Sequence, residues 1–433
     1  MNKQIGVCFL LFCWFHSGFG QIKKPKQSTE KKFVAGSITT KPILPAAYLT
    51  KDYVPQLLNK RVALFANNTS TIRKTHLADT LQKLGVNIIK IFGPEHGFRG
   101  NAGAGDKVEN DKDPATGIPI ISLYGKKNKP SKDDLADVDI LLFDIQDVGV
   151  RFYTYISSLQ LLMESAIENK KQLIILDRPN PNGSYIDGPV LDTAFKSFVG
   201  MQAVPVVYGM TIGEYANYIL GEGLLSKEIM ALMMLRMSSD ALDAKENADG
   251  GVNIKVIKCR NYKHSSHYTL PDRPSPNLPE EGSVLWYPST CFFEGTAISE
   301  GRGTDKPFQI FGHPSLPKTM YAFKPAVTLA ASSPKCKDQQ CYGWNMSNKK
   351  PGQQLNLNYL LGAYRLFPDK EKFFLLPKTS SLKPTDIFFN KLAGNAELMQ
   401  QIKDGKTEAV IRASWQPKLE EFKKKRQRYL LYE

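Results

Sequence analysis

Residues 140–176 read ILLFDIQDVGVRFYTYISSLQLLMESAIENKKQLIIL, and this stretch decides the fold class. Positions 140–143 are a short unbroken apolar run, 156–168 carry a helical pattern, and 173–176 are a second apolar run. A strand covered on both faces needs no polar alternation, so strand, helix and strand here make a parallel βαβ unit. The same rhythm runs upstream through residues 62–65, 76–84, 86–92 and 118–123. The sequence therefore predicts a doubly wound α/β domain with a mainly parallel sheet.

In such sheets ligands bind outside the carboxyl ends of the strands. Four of these ends are polar. Asn67 follows the first run, and Glu95, His96 and Arg99 follow the run ending at Phe92. Asp144, Gln146, Asp147, Arg151 and Tyr153 follow Phe143, while Arg178 and Asn180 follow Leu176. Donors and acceptors converging on one rim suit a polyhydroxylated substrate, whose hydroxyls each need partners at fixed positions. Glu95 stands in a sharp loop between Pro94 and Gly97 and is a candidate catalytic group; His96 would orient it or bond a hydroxyl. Asp144 and Asp147 with Arg151 read either as site residues or as an ion pair fixing a helix entry.

A second cluster lies at 272–304. It holds Asn277, and Glu294 and Glu300 in a glycine-rich frame that would let a ligand approach the backbone. Either glutamate would serve as the second carboxylate of a hydrolase. Arg302 would receive a substrate anion through its planar fork.

The chain has 433 residues, more than one ordinary core holds, at roughly 100–200 residues per domain. Residues 45–312 are read as the α/β domain and 313–433 as a smaller domain, ending in a helical tail with Leu419, Phe422 and Tyr429 on one face. Lys and Arg number 57 against 42 Asp and Glu, a net charge of +15 that favours polyanionic partners. Residues 1–20 have the layout of a cleaved signal peptide: a basic start, a short apolar run and small residues. Residues 21–44 read as a flexible linker. The expectation is an exported protein, periplasmic or secreted, without nucleic-acid partners. No later run reaches ~18 apolar residues, which argues against stable membrane insertion.

The histidines show no ligand spacing, so no metal is expected. Gly100–Gly105 lacks the spacing of a dinucleotide loop, so no cofactor is expected either. Of the four cysteines beyond the signal, Cys336 and Cys341 flank a short polar stretch and either pair or stay free.

Long strings then carry a family likeness: FGPEHGFRG at 92–100, FDIQDVGVRFYTY at 143–155, LDRPNPNG at 176–183 and CFFEGTAISEGRGTDKPF at 291–308. With DGP at 187–189, YGMTIGEYA at 208–216 and SPNLP at 275–279, the chain resembles the exo-β-N-acetylmuramidases of the NamZ type from about Pro45 to its end. The resemblance implies a Rossmann-like domain, a smaller α+β C-terminal domain, and an active site in the cleft between them. It implies release of β-1,4-linked N-acetylmuramic acid from non-reducing ends of peptidoglycan fragments. Glu95 matches the family's favoured catalytic glutamate and Glu294 its EGT glutamate. Many relatives carry Asn and a small residue where this chain has Ala297 and Glu300, which counts against a family-wide role for Glu300. A protonated Glu95, beside Phe92 and Phe98, would donate to the leaving oxygen; Glu294 or an aspartate of 144–147 would be its partner. Arg302 and Arg151 are the candidates for the lactyl carboxylate. Two competing readings are a non-catalytic exported module that binds wall glycan, and a metal-dependent deacetylase or phosphatase, which the missing ligand set disfavours.

Overall fold

A computed structural model of the chain describes residues 41–95, 97–99, 110–240 and 253–433. The signal-peptide expectation, all but the end of the linker, and His96 lie outside the described residues. The first elements are α1 (Thr50–Leu57), β1 (Arg61–Ala66), a small hairpin of β2 (Thr71–Ile72) and β3 (Thr75–His76), and α2 (Leu77–Lys83). Next come β4 (Asn87–Gly93), β5 (Asp111–Lys112), β6 (Pro119–Ser122), α3 (Lys132–Leu135) and β7 (Ile140–Asp144). Then follow α4 (Tyr155–Glu168), β8 (Gln172–Leu176), α5 (Ile212–Gly221), α6 (Lys227–Asp240) and β9 (Ile254–Ile257).

These strands form one sheet in the order β5–β6–β4–β1–β7–β8–β9, parallel throughout except for β5 at the edge. Alternate side chains feed two different cores. Ala63, Phe65, Leu141, Phe143, Leu173 and Ile175 join the cluster that includes Ile156, Leu159 and Met163 of α4. Val62, Leu64, Ala66, Ile140, Leu142 and Ile174 join the opposite cluster, with Tyr53 of α1 and Leu81 of α2. Both faces are covered, which is why the strands read as unbroken apolar runs. Thr211 and Glu214, three residues apart, form a capping box on α5: the Thr211 hydroxyl accepts from Glu214 N, and the Glu214 carboxylate accepts from Thr211 N.

The chain continues through α7 (Glu281–Thr290), β10 (Ile310–His313), β11 (Tyr321–Phe323) and β12 (Cys341–Asn345). The last three strands make an antiparallel sheet ordered β10–β12–β11. Four helices end the fold: α8 (Asn358–Leu366), α9 (Phe388–Ala393), α10 (Glu397–Lys403) and α11 (Glu408–Arg426). Phe311, Leu360, Phe389, Trp415, Leu419 and Phe422 enter the same cluster as Phe65 and Phe143, so one core links sheet and C-terminal helices. Pro42–Glu433 is one compact unit. The closing residues dock on the α/β half, where Tyr432 Oη donates to Asp177 Oδ2 at 2.6 Å and Leu431 N donates to Glu214 Oε1 at 2.7 Å.

The strand order reverses about β1, which has β4 on one side and β7 on the other. The crevice above the carboxyl ends at this reversal is where an open parallel sheet receives its ligand.

Candidate active site

Three strand ends meet at one carboxylate. Gly93 ends β4, and the next residues turn sharply, with Gly97 at φ 74° and its N–H donating to Pro94 O at 3.0 Å. That turn holds Glu95 over the crevice. Tyr124, just beyond β6, donates its hydroxyl to Glu95 Oε1 at 2.9 Å. Thr154, the residue before α4, donates to Glu95 Oε2 at 3.1 Å. Each carboxyl oxygen is therefore fixed by one hydroxyl.

The other wall comes from residues 291–308 and 330–335. Arg302 Nη2 lies 2.8 Å from Glu294 Oε1, and Arg302 Nε lies 3.4 Å from Glu300 Oε1. Lys335 Nζ lies 2.8 Å from Glu300 Oε2 and also donates to the carbonyls of Phe293, Thr296 and Ile298 at 2.6–2.9 Å. Charges alternate along Glu294, Arg302, Glu300 and Lys335. Burial works to raise the Glu300 carboxyl, but Lys335 and Arg302 hold it below its ordinary value. Burial works against the Arg302 charge, yet Glu294 and Glu300 keep its pKa above the ordinary arginine value.

The glycines of this frame serve the protein's own packing. A Cβ on Gly295 would stand 2.6 Å from Phe389 Cα, and one on Gly301, at φ 82°, would stand 2.3 Å from Ile310 O. Sequence reading assigned these glycines to ligand approach; the backbone they admit is that of α9 and β10.

Between the walls is a cavity of about 620 Å³, a size suited to a small saccharide. Phe152, Tyr153, Tyr155, Tyr287 and Phe308 supply aromatic surface beside Glu95, Glu294, Glu300 and Arg302. Tyr153 Oη is anchored on Pro274 O at 2.7 Å.

Of the residues expected from sequence, Glu95, Glu294, Glu300, Tyr153 and Arg302 line this cavity. The others among the described residues are framework. Asp144 and Arg178 form a two-pronged ion pair at 2.6 and 2.8 Å, with side chains 0 and 1% exposed. Asp144 is therefore not free to act on substrate. Arg151, expected at a substrate anion, is instead buried among carbonyls, donating to Pro189 O, Val204 O and Leu392 O. Asn67 caps its own turn at Thr69 and donates to Tyr155 Oη at 2.8 Å. Gln146 Nε2 donates to Asp147 O and Pro179 O. Asp147 accepts from Gly149 N and the Tyr208 hydroxyl; burial pushes its carboxyl up to about 6, the Tyr208 hydrogen bond opposing. Asn180 donates to Met210 O, and Arg99 pairs with Asp113 and Asp79. Asn277 Nδ2 donates to Ala330 O at 2.7 Å, steadying the cavity-lining segment 330–335. These strand-end groups direct the hydrogen bonds they make to one another and to the loop backbone.

Sequence reasoning missed Tyr124, Thr154, Tyr287 and Lys335. Tyr124 was reachable, since it ends the apolar run 118–123 as the other rim residues end theirs. Lys335 carries no such signal. Among the described residues no group of three or more His, Cys, Asp or Glu is arranged to hold a metal ion. No helix among them is long and apolar enough to cross a membrane.

Comparison with known proteins matches residues 62–282 to the N-terminal model, and residues 285–432 to the C-terminal model, of the family described as exo-beta-N-acetylmuramidase NamZ. A curated relative, peptidoglycan beta-N-acetylmuramidase NamZ of Bacillus subtilis, is 37% identical over 406 residues, covering 89% of this chain and 90% of its own. Two crystal structures of DUF1343 family proteins from Bacteroides fragilis share the fold. One has a TM-score of 0.77 at 39% identity, covering 91% of this chain and 99% of its own. The other has a TM-score of 0.72 at 27% identity, covering 90% and 99%.

Proposed function

The chain belongs to the exo-beta-N-acetylmuramidase NamZ family, and we propose that it hydrolyses terminal β-1,4-linked N-acetylmuramic acid from the non-reducing ends of peptidoglycan fragments. The observation that carries this reading is Glu95, gripped by two hydroxyls, sharing one cavity with the Glu294–Arg302 pair. Glycoside hydrolysis uses two carboxyl groups about the scissile bond.

Glu95, protonated, gives its proton to the bridging oxygen as the bond from the anomeric carbon to that oxygen breaks. Positive charge then develops at the anomeric carbon, where Glu294 is the partner carboxylate. Water supplies the new hydroxyl on that carbon, and its second proton returns to a carboxylate. Arg302 receives the lactyl carboxylate, the group that sets muramic acid apart from glucosamine sugars. Asp144 has no part in this scheme, because its carboxylate is taken up by Arg178.

Export completes the proposal. The basic start, apolar run and small residues of positions 1–20 are its support, and a net charge of +15 suits an anionic wall polymer. Cell fractionation with N-terminal sequencing of the mature protein tests it; an uncleaved protein in the cytoplasm would overturn it.

Activity is tested by incubating purified protein with a chromogenic β-N-acetylmuramide and with a natural muramic-acid-terminated disaccharide. Release of the chromophore and of free N-acetylmuramic acid is expected. Absence of turnover on both substrates would sink the hydrolase reading.

A further inference from the structure

Directly behind the cavity wall the chain makes a tight turn between two cysteines. Lys335 faces Glu300, and Cys336 follows at once with a left-handed backbone, φ 54°. Gln339 N closes the turn on Cys336 O at 3.0 Å, and Asp338 N is held by Pro325 O at 2.8 Å. Cys341 then opens β12, fully buried with Ile310 and Phe323, and Cys336 packs against that same cluster. The Cys341 thiol turns back into this turn, donating to Gln339 O at 3.8 Å, with Cys336 packed on the same small cluster. Both are thiols in this structure.

We propose that Cys336 and Cys341 are a disulfide-forming pair, a covalent modification site at the foot of the cavity wall. Their settings divide the labour. Cys336 is partly exposed; the neighbouring Cys341 thiol, and beyond it the Lys335 charge, lower its thiol pKa against the opposing effect of burial. Cys341 is buried, and the neighbouring Cys336 thiol, with burial, raises its thiol pKa. The oxidant is a small-molecule disulfide of the glutathione type. The Cys336 thiolate attacks one of its sulfurs and expels the other as a thiol, leaving a mixed disulfide. Cys341 gives up its proton and attacks the Cys336 sulfur, expelling the second thiol. Two protein thiols and one external disulfide become one protein disulfide and two external thiols.

This inference stands apart from the hydrolase reading, and its test needs no substrate. The full chain is incubated with oxidised glutathione, alkylated, digested without reduction and mapped by mass spectrometry. A peptide joining Cys336 to Cys341, lighter by two hydrogens, is expected, with Cys259 and Cys291 still thiols. The melting temperature should rise by about 1–4 °C on oxidation. Cys336→Ser should melt like the reduced protein and show no rise. A glutathione adduct that persists on Cys336, a cross-link through Cys259 or Cys291, or independent alkylation of Cys336 and Cys341 after oxidation would each overturn the assignment.

Discussion

Arg302 donates to Glu294 at 2.8 Å, so the cation assigned to a substrate carboxylate already holds one carboxylate of the protein. Its ring of partners is completed by Glu300 at 3.4 Å and by the face of Phe308, 5.1 Å from the guanidinium carbon. A lactyl carboxylate entering here would compete with Glu294 for the same donors. On the proposed function, Arg302 would thereby couple recognition of the sugar to the freedom of the second carboxylate.

Sugar discrimination follows from that coupling. A site built to bond a group rejects the analogue lacking it by as much as ~10⁴–10⁵-fold, because its own polar atoms are left unpaired. The wild type should hydrolyse β-N-acetylmuramides and leave β-N-acetylglucosaminides nearly untouched. Arg302→Ala should narrow the ratio of kcat/KM values at least tenfold, about 1.4 kcal/mol, chiefly by weakening the muramide. Equal wild-type rates on the two sugars would contradict carboxylate recognition.

Glu95→Gln keeps size and shape but removes the transferable proton, and the hydroxyl facing its amide nitrogen must turn from donor to acceptor. Turnover should fall by about 10²–10⁴-fold at unchanged melting temperature. Tyr124→Phe and Thr154→Ala each remove one hydroxyl that steadies the negative charge left on this carboxyl as its proton departs, a bond worth ~1.5–3 kcal/mol to a charged group, so kcat should drop roughly 10–100-fold. Glu95→Gln within tenfold of wild type would exclude it as the acid.

The Asp144–Arg178 pair predicts a stability effect remote from substrate. Removing one partner of a buried pair leaves an uncompensated charge and costs about 3–5 kcal/mol. Asp144→Ala should lower the urea midpoint accordingly. Adding Arg178→Met should recover part of the loss, since the stranded cation is then gone. Additive losses in the double variant would show that the two side chains are not energetically paired.

Asp177, where Tyr432 docks, predicts a pH effect. Burial pushes its carboxyl up to about 7, with the Tyr432 and Thr211 hydroxyls opposing and the Glu214 charge reinforcing the rise. In the unfolded chain it ionises near ~3.9. Below that value the carboxyl is protonated in both states, and the stability it contributes is fully present. As pH rises toward 7 the unfolded chain releases the proton first. Stability should therefore fall by up to about 1.4 kcal/mol per pH unit, then level off. Urea midpoints from pH 4.5 to 8 should show this slope in the wild type and lose it in Asp177→Asn. An identical slope in both would assign the pH dependence to other groups.

The run 140–176 was enough to fix the α/β class, because a strand buried on both faces shows its covering in its own composition. The Thr211–Glu214 cap was equally legible, since both partners lie within one helical turn. Glu95 was legible because Pro94 and Gly97 announce its turn locally. Which polar strand-end residues face the cavity was not. Asp144 and Arg178 are 34 residues apart, Arg151 and Leu392 are 241 apart, and nothing near either member reports the other. Lys335 likewise acquires its role only when the 293–300 segment brings Glu300 and three carbonyls around it. Sequence determined the layers and the loop that carries Glu95, through periodicity and turn chemistry, which act over a few residues. Tertiary structure decided which charges are spent on one another and which remain for a substrate, because buried polar groups choose partners by proximity in space.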